Sequence, residues 1–346
     1  MQQGQPEPFS FYDGAVAPGK RSAFDIPVSR VASGQDVTMP VRIVHGAAPG
    51  PVLFVSAGIH GDEITGVEIV RRLLKRITPG KLSGTLIAVP IVNVYGFVAN
   101  SRYLPDRRDL NRCFPGSENG SLAARLAWLF RTEVIARADF GIDLHSAAIH
   151  RTNLPQIRIS PHAPQAAELA EAFSPPIVIT SPLRDGSLRG HAKRDGVEML
   201  LYEAGEGLRF DPFSIRVGLN GIVRVMGAMG MLRLAERMQK IAAPVHASKS
   251  IWVRAPRGGT CLLSVETGAV VSTGQRIGTV NDPVGRDEEL VTSPINGIVI
   301  GLARLGVVNR GDALVHIAEI GHRDIELDQE TEERLAGAML DEDEIL

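Results

Sequence analysis

Pro51-Val-Leu-Phe-Val-Ser-Ala-Gly58-Ile-His60-Gly-Asp-Glu63-Ile-Thr-Gly-Val-Glu-Ile-Val-Arg-Arg-Leu-Leu74 is the stretch whose reading decides the fold. Its opening segment, Val52 to Ala57, is apolar, rich in β-branched residues and bounded by proline and glycine, the pattern of a strand buried on both faces. Ile64, Val67, Val70, Leu73, Leu74 and Ile77 then recur at three- and four-residue spacing, which predicts a helix with one apolar face against the sheet. His60 and Glu63 lie between the two elements. Three residues apart at the first turn of a helix, an imidazole and a carboxylate can share a cation. They are two ligands of a site that needs a third, and the bare H-x-x-E string is weak evidence by itself.

The composition sets bounds. With 346 residues, 44% of them hydrophobic, and a formal charge of -2, the chain is long enough for a large core. No charge excess points to nucleic acid or an anionic membrane as partner. No apolar run reaches transmembrane length, since Arg224 interrupts the longest candidate. The first residues lack the basic-then-apolar pattern of a signal peptide, which makes the cytoplasm the default location. Cys113 and Cys261 are too few for a disulfide framework or a thiolate zinc cluster, so any metal must be held by His and carboxylate.

Outward from the opening stretch, residues 1–20 read as loosely attached, and two edge strands over Ala23 to Val31 and Asp36 to Val44 precede the central strand. His45 reads as a turn or surface residue. Gly84 to Val92 is a further strand. A long polar loop, Asn93 to Ser121, carries Arg102 and the run Asp109-Leu-Asn111-Arg112; loops of that length in a compact domain are more often functional than idle. Ser121 caps a helix through Arg137. The short apolar strand that follows ends in Asp143-Leu-His145, which supplies the missing imidazole. Ligands of open α/β sheets gather at the carboxyl ends of strands, where both His60 and His145 fall. Asp143 is placed either to orient His145 or to cap backbone. His150, in a loop with nothing to fix its direction, ranks below His145.

Strands and helices alternate through Gln156–Ser160, Ala163–Phe173, Pro176–Thr180, Ser187–Asp195 and Val197–Glu203. That order implies an α/β fold with a mixed, mainly parallel sheet and helices on both faces. Glu203, at the mouth of its strand, is a candidate general base, with Glu206 as rival. A long helical segment, Asp211 to Gln239, closes the first domain, residues 1–243. Residues 244–322 change to short β runs punctuated by glycine and contain an internal repeat, Val270 to Ile277 against Val307 to Leu314. Residues 323–346 form an acidic tail.

The ordered set Gly58-x-His60-Gly-Asp-Glu63, Arg102, Asp109-Leu-Asn111-Arg112, Asp143-Leu-His145 and Glu203-Ala-Gly resembles the succinylglutamate desuccinylase/aspartoacylase family of zinc hydrolases, relatives in fold of the zinc carboxypeptidases. The resemblance implies a zinc-carboxypeptidase-like catalytic domain and one Zn2+ per chain on His60, Glu63 and His145. It implies Glu203 as general base and proton shuttle, Arg102 as the cation that polarises the scissile carbonyl, and Asn111 with Arg112 as the grip on a substrate carboxylate. The implied activity is hydrolysis of the amide bond of a small, carboxylate-bearing N-acyl amino acid. A metallocarboxypeptidase and a non-catalytic zinc-binding protein are the alternatives. The C-terminal repeat resembles the biotinyl/lipoyl barrel-sandwich module. Lys249 is the last lysine, so the module has no amine on which to carry a cofactor. In the family this domain narrows the active-site entrance. His316 and His322 read as surface residues, and quaternary structure, a homo-oligomer included, is left open.

Overall fold

A computed structural model describes residues 6–239 and 243–321. Two short strands, β1 (Phe9–Phe11) and β2 (Gly14–Val16), form a hairpin, and β3 (Lys20–Arg30) and β4 (Asp36–His45) form a longer one. Next come β5 (Ala48–Ala57), α1 (Thr65–Arg76), β6 (Ser83–Val89), α2 (Val94–Val98), α3 (Leu122–Glu133), β7 (Phe140–His145) and β8 (Arg151–Ile159). The chain continues through α4 (Pro164–Phe173), β9 (Ile177–Thr180), α5 (Leu188–Arg194), β10 (Glu198–Gly205), α6 (Pro212–Ala228) and α7 (Glu236–Gln239). The C-terminal part is all β: β11 (Val245–Ala247), β12 (Ser250–Arg254), β13 (Gly259–Leu263), β14 (Val270–Val271), β15 (Arg276–Asn281), β16 (Glu288–Thr292), β17 (Gly297–Ala303), β18 (Val307–Val308) and β19 (Ala313–Glu319).

The result is a mixed α/β fold around one large mixed sheet, ordered β12-β19-β17-β8-β10-β7-β5-β6-β4-β3. Its centre, β6-β5-β7-β10, is parallel, and antiparallel strands extend it on both sides. Central strands are apolar on both faces because both are covered. The α1, α4 and α6 stripes, with Ile69, Leu169 and Ile222, bury one face. The α3 and α5 stripes, with Leu126, Phe130 and Leu188, bury the other. Ser121 caps α3, its side chain accepting from the Ala124 N–H at 3.3 Å.

Two expectations need correction. Residues 9–16 are not loose: Phe11 and Val16 are buried in the second face's core, Phe11 edge-on to Phe24, because the amino-terminal hairpin supplies apolar cover that α3 and α5 leave incomplete. The long helix expected over Asp211 to Gln239 ends at Ala228, with Gly230 in the left-handed region at φ 72°. The expected acidic tail lies outside the described residues, as does His322.

The C-terminal strands do not hang from a linker. β17 pairs antiparallel with β8, and β11 pairs parallel with β9, so both extend the same sheet. A shared apolar cluster of Leu154, Ile177 and Ile179 with Ala247, Ile298 and Ala318 seals the junction. A separate four-stranded sheet, β16-β15-β13-β18, packs over a core that includes Ile277, Val280 and Leu314. Among the described residues no helix is long and apolar enough to cross a membrane.

Centre-sheet packing leaves no slack at Gly141, where an added Cβ would meet the Phe54 ring at 2.2 Å. Gly141→Ala is expected to cost about 1–3 kcal/mol through overpacking. Chemical denaturation would register it, and an unchanged midpoint would mean that β5 and β7 pack less tightly than described.

Candidate active site

Three adjacent parallel strands deliver the site. His60 and Glu63 follow β5, His145 ends β7, and Glu203 stands beside His145 in the β10–β7 register, so both side chains leave the sheet on one face. The sequence places His60 and Glu63 in the first turn of a helix; instead α1 starts at Thr65, and the pair sits on a preceding turn closed by the Glu63 N–H to the His60 carbonyl at 3.2 Å.

His60, Glu63 and His145 are all buried, and one ligand atom from each falls within 4.8 Å of the others. His60 Nδ1 lies 2.7 Å from Glu63 Oε1, His145 Nδ1 lies 2.7 Å from Glu63 Oε2, and the two Nδ1 atoms face each other at 3.2 Å. Both remote ring nitrogens are held by carboxylates. His145 Nε2 is 2.7 Å from Asp143 Oδ2, whose other oxygen accepts from Ser56 Oγ at 2.7 Å. His60 Nε2 is 3.1 Å from Asp109 Oδ1. Imidazoles anchored this way on one nitrogen present the other to a cation. Asp143 therefore orients His145 rather than capping backbone.

The electrostatics fit a divalent ion. Burial works to lower the His145 pKa, but Asp143 and Glu63 outweigh it and hold it well above the ordinary imidazole value. The same contest, with Glu63 and Asp109 as partners, raises His60. Burial pushes Glu63 up, yet the two imidazoles hold it well below the usual carboxylate range. Arg102 donates to Asp109 Oδ2 from Nε and Nη2 at 3.2 and 2.9 Å and to Glu63 Oε1 at 3.1 Å. Three carboxylates, Glu63, Asp109 and Asp143, against this one guanidinium leave two negative charges. Two imidazolium protons neutralise them, and so does one divalent cation with both rings neutral.

A cavity of about 560 Å³ opens over this cluster. Its wall brings Arg102, Asn111, Arg112 and Glu203 together with the three candidate ligands. The Asn111 carboxamide oxygen accepts from the Leu188 N–H at 2.8 Å, which leaves its NH2 as the group to present. Arg112 is exposed. Glu203 Oε2 accepts from Asn153 Nδ2 at 2.8 Å. Glu206 is outside this wall; it accepts from the His150 backbone N–H at 3.1 Å, and His150 itself is exposed and apart from the cluster.

Several wall residues escaped the sequence reading. Arg158 and Arg189 line the cavity, and Arg158 Nε and Arg189 Nη1 are buried without a hydrogen-bond partner. Burial beside Arg158 lowers the Arg189 pKa to about 10, still fully charged near neutrality. His316, expected at the surface, is buried against the cavity: it stacks on Trp252 at 4.6 Å, bonds Ser250 Oγ at 2.9 Å, and is pushed down to about 3 by burial, hence neutral. His45, also expected at the surface, is buried between Thr85 Oγ1 and the Glu7 carbonyl.

Residues 49–229, more than half of the chain, match the model of the succinylglutamate desuccinylase/aspartoacylase catalytic domain. The chain belongs to the succinylglutamate desuccinylase/aspartoacylase family. A family relative, the N-alpha-acetyl-L-2,4-diaminobutyric acid deacetylase of Halomonas elongata, is 28% identical over 334 residues, 92% of this chain and 97% of that protein. The succinylglutamate desuccinylase of Burkholderia cenocepacia is 34% identical over 128 residues, 34% of this chain and 36% of that protein. Among solved structures, a succinylglutamate desuccinylase/aspartoacylase from Rhodobacter sphaeroides aligns with a TM-score of 0.78 at 28% identity, covering 87% of this chain and 96% of that one. A product-bound ectoine utilization protein from Ruegeria pomeroyi, at 22% identity and a TM-score of 0.77, shares the fold over 88% of this chain and 97% of its own. The family's enzymes are deacylases by name.

Because the neighbouring carboxylates raise both imidazole pKa values, a cation competes with protons for the ring nitrogens, so binding should release up to two protons per ion and strengthen as pH rises. Calorimetric titration in buffers of different ionisation enthalpy measures that number. Binding with no proton release would contradict the charge balance.

Proposed function

We propose that this chain is a cytoplasmic, zinc-dependent deacylase that hydrolyses the amide bond of a small N-acyl amino acid carrying a free carboxylate. The observation that carries the reading is one cavity in which a His60–Glu63–His145 cluster, the separate carboxylate of Glu203 and an arginine-rich wall face each other. Two imidazole nitrogens and one carboxylate are the donor set of many hydrolytic zinc sites. In this reading they hold one zinc ion per chain, which supplies Lewis acidity toward water and the amide carbonyl.

The remaining roles fall to the chain's own groups. Glu203 takes the proton of the attacking water and returns it to the leaving amine. Arg102, its guanidinium fixed by two N–H groups on Asp109, stabilises negative charge on the carbonyl oxygen as the carbon becomes tetrahedral. Asn111 and Arg112 take the substrate carboxylate, for which a guanidinium fork is geometrically matched. Arg158 and Arg189 add positive potential that favours an anionic substrate.

The C-terminal strands are read as a barrel-sandwich-like module whose Trp252 and His316 narrow the entrance. That wall favours a small acylated amino acid over a peptide C-terminus. The deacetylase and desuccinylase names of the relatives belong to the same reaction class.

An amine-release screen over N-acetyl and N-succinyl amino acids, with a long peptide as competitor, tests the substrate class; preference for the peptide would favour a carboxypeptidase. Arg102→Ala should lower turnover by about 10²–10³-fold with zinc retained, the usual loss for an oxyanion donor. Glu203→Gln should keep zinc and lose nearly all activity. Wild-type turnover by either variant removes the role given to that residue.

A further inference from the structure

One row of residues crosses the whole junction between the two parts of the fold. Trp252 on β12 pairs with His316 on β19, His316 with Gly301 on β17, Gly301 with Asn153 on β8, and Asn153 with Gly205 on β10. Register partners share a face, and Trp252, His316 and Asn153 all line the cavity. Asn153 reaches that face through an irregularity. Glu203 pairs with Gln156 and Gly205 with Asn153, so β8 carries one extra residue there, and the bulge turns Asn153 rather than Leu154 toward Glu203. Leu154 is buried in the apolar junction instead.

The side chain so aimed donates to Glu203 Oε2 at 2.8 Å. A carboxylate accepts only, so the amide must turn its NH2 to Glu203 and its oxygen toward Gly301. Glycine there leaves the necessary room: a Cβ on Gly301 would stand 2.9 Å from Asn153 Oδ1, with His316 Cβ and the Thr152 carbonyl at 3.4 Å. Arg158 Nε, at 4.0 Å from Glu203 Oε1, is too far to hold the carboxylate by a hydrogen bond.

We infer that Asn153 is the positioning residue of Glu203, and that Gly301 of the C-terminal strands sets where its carboxamide lies. The inference rests on Glu203 being the proton-transfer group. Asn153 fixes one carboxylate oxygen, so the other is turned to the reacting water, and the C-terminal part of the chain thereby acts on the chemical step as well as on the entrance.

Four single variants and one double variant test this with whichever N-acetyl or N-succinyl amino acid the wild-type protein hydrolyses fastest. Asn153→Ala should lower kcat by about ten- to a hundredfold, the range for loss of one hydrogen bond to a charged group, with KM nearly unchanged and zinc content intact. Asn153→Asp keeps the shape but removes the donor and should lose at least as much; activity retained by Asp would mean that the side chain only fills space. Gly301→Ala should lower kcat in the same direction, yet add nothing in the Asn153→Ala background, because the group it displaces is gone. Multiplying effects, or wild-type kcat in Asn153→Ala, would overturn the inference. Glu203→Gln separates the two levels. If it is inactive while Asn153→Ala is normal, only the positioning role falls; if Glu203→Gln is active, or the wild-type protein hydrolyses none of the panel, the functional reading falls and takes this one with it.

Discussion

Charge compensation in a buried space is the constraint on which the site depends. Glu63 and Asp143 are withdrawn from water and Asp109 is half-buried, all three within reach of two imidazoles and one guanidinium. Isolated charges so buried would each cost several kcal/mol, so the cluster is tenable only when its positive and negative members balance. The balance has two solutions, two protons or one divalent ion, and both leave the surrounding hydrogen bonds of Asp109 and Asp143 in place. The fold makes this possible by ending β5, β7 and β10 side by side, with Ser56 on β5 registered against Asp143 on β7.

Around that balanced centre the cavity is strongly cationic. Arg112, Arg151, Arg158, Arg184 and Arg189 line it together with Arg102, and few of them are consumed by the carboxylates present. Arg102 is consumed, by Asp109 and Glu63, which makes it rigid. Arg189 is tied by Ser181 Oγ and the Pro182 carbonyl through one nitrogen alone. A pocket built this way concentrates small anions and disfavours neutral or cationic ligands of equal size.

Much of this was legible in the sequence because it is carried by local pattern. The β5 segment, the α1 stripe and the Ser121 cap are written in consecutive residues, and the His60, Glu63 and His145 positions sit at strand ends that apolar runs announce. What stayed hidden depends on neighbours from distant strands. Alternation from Gln156 and Arg158 would aim Leu154, not Asn153, at the cavity; only the pairing of β8 with β10 reveals the extra residue. His316 reads as a surface residue, since the Trp252 that covers it belongs to another strand and stacks only after pairing. The amino-terminal hairpin was missed for a similar reason, its few apolar residues finding their core only in three dimensions.

The pairing of β17 with β8 carries a consequence for biosynthesis. During translation β8 leaves the ribosome more than a hundred residues before its partner, so a nascent chain holding every candidate zinc ligand still has an open sheet edge beside Glu203. Until β17 arrives, that edge is an invitation to mispairing. Closing that edge falls to β17, whose Gly301, Leu302 and Ala303 take up the partners of Asn153, Thr152 and Arg151 only after the intervening chain has been made.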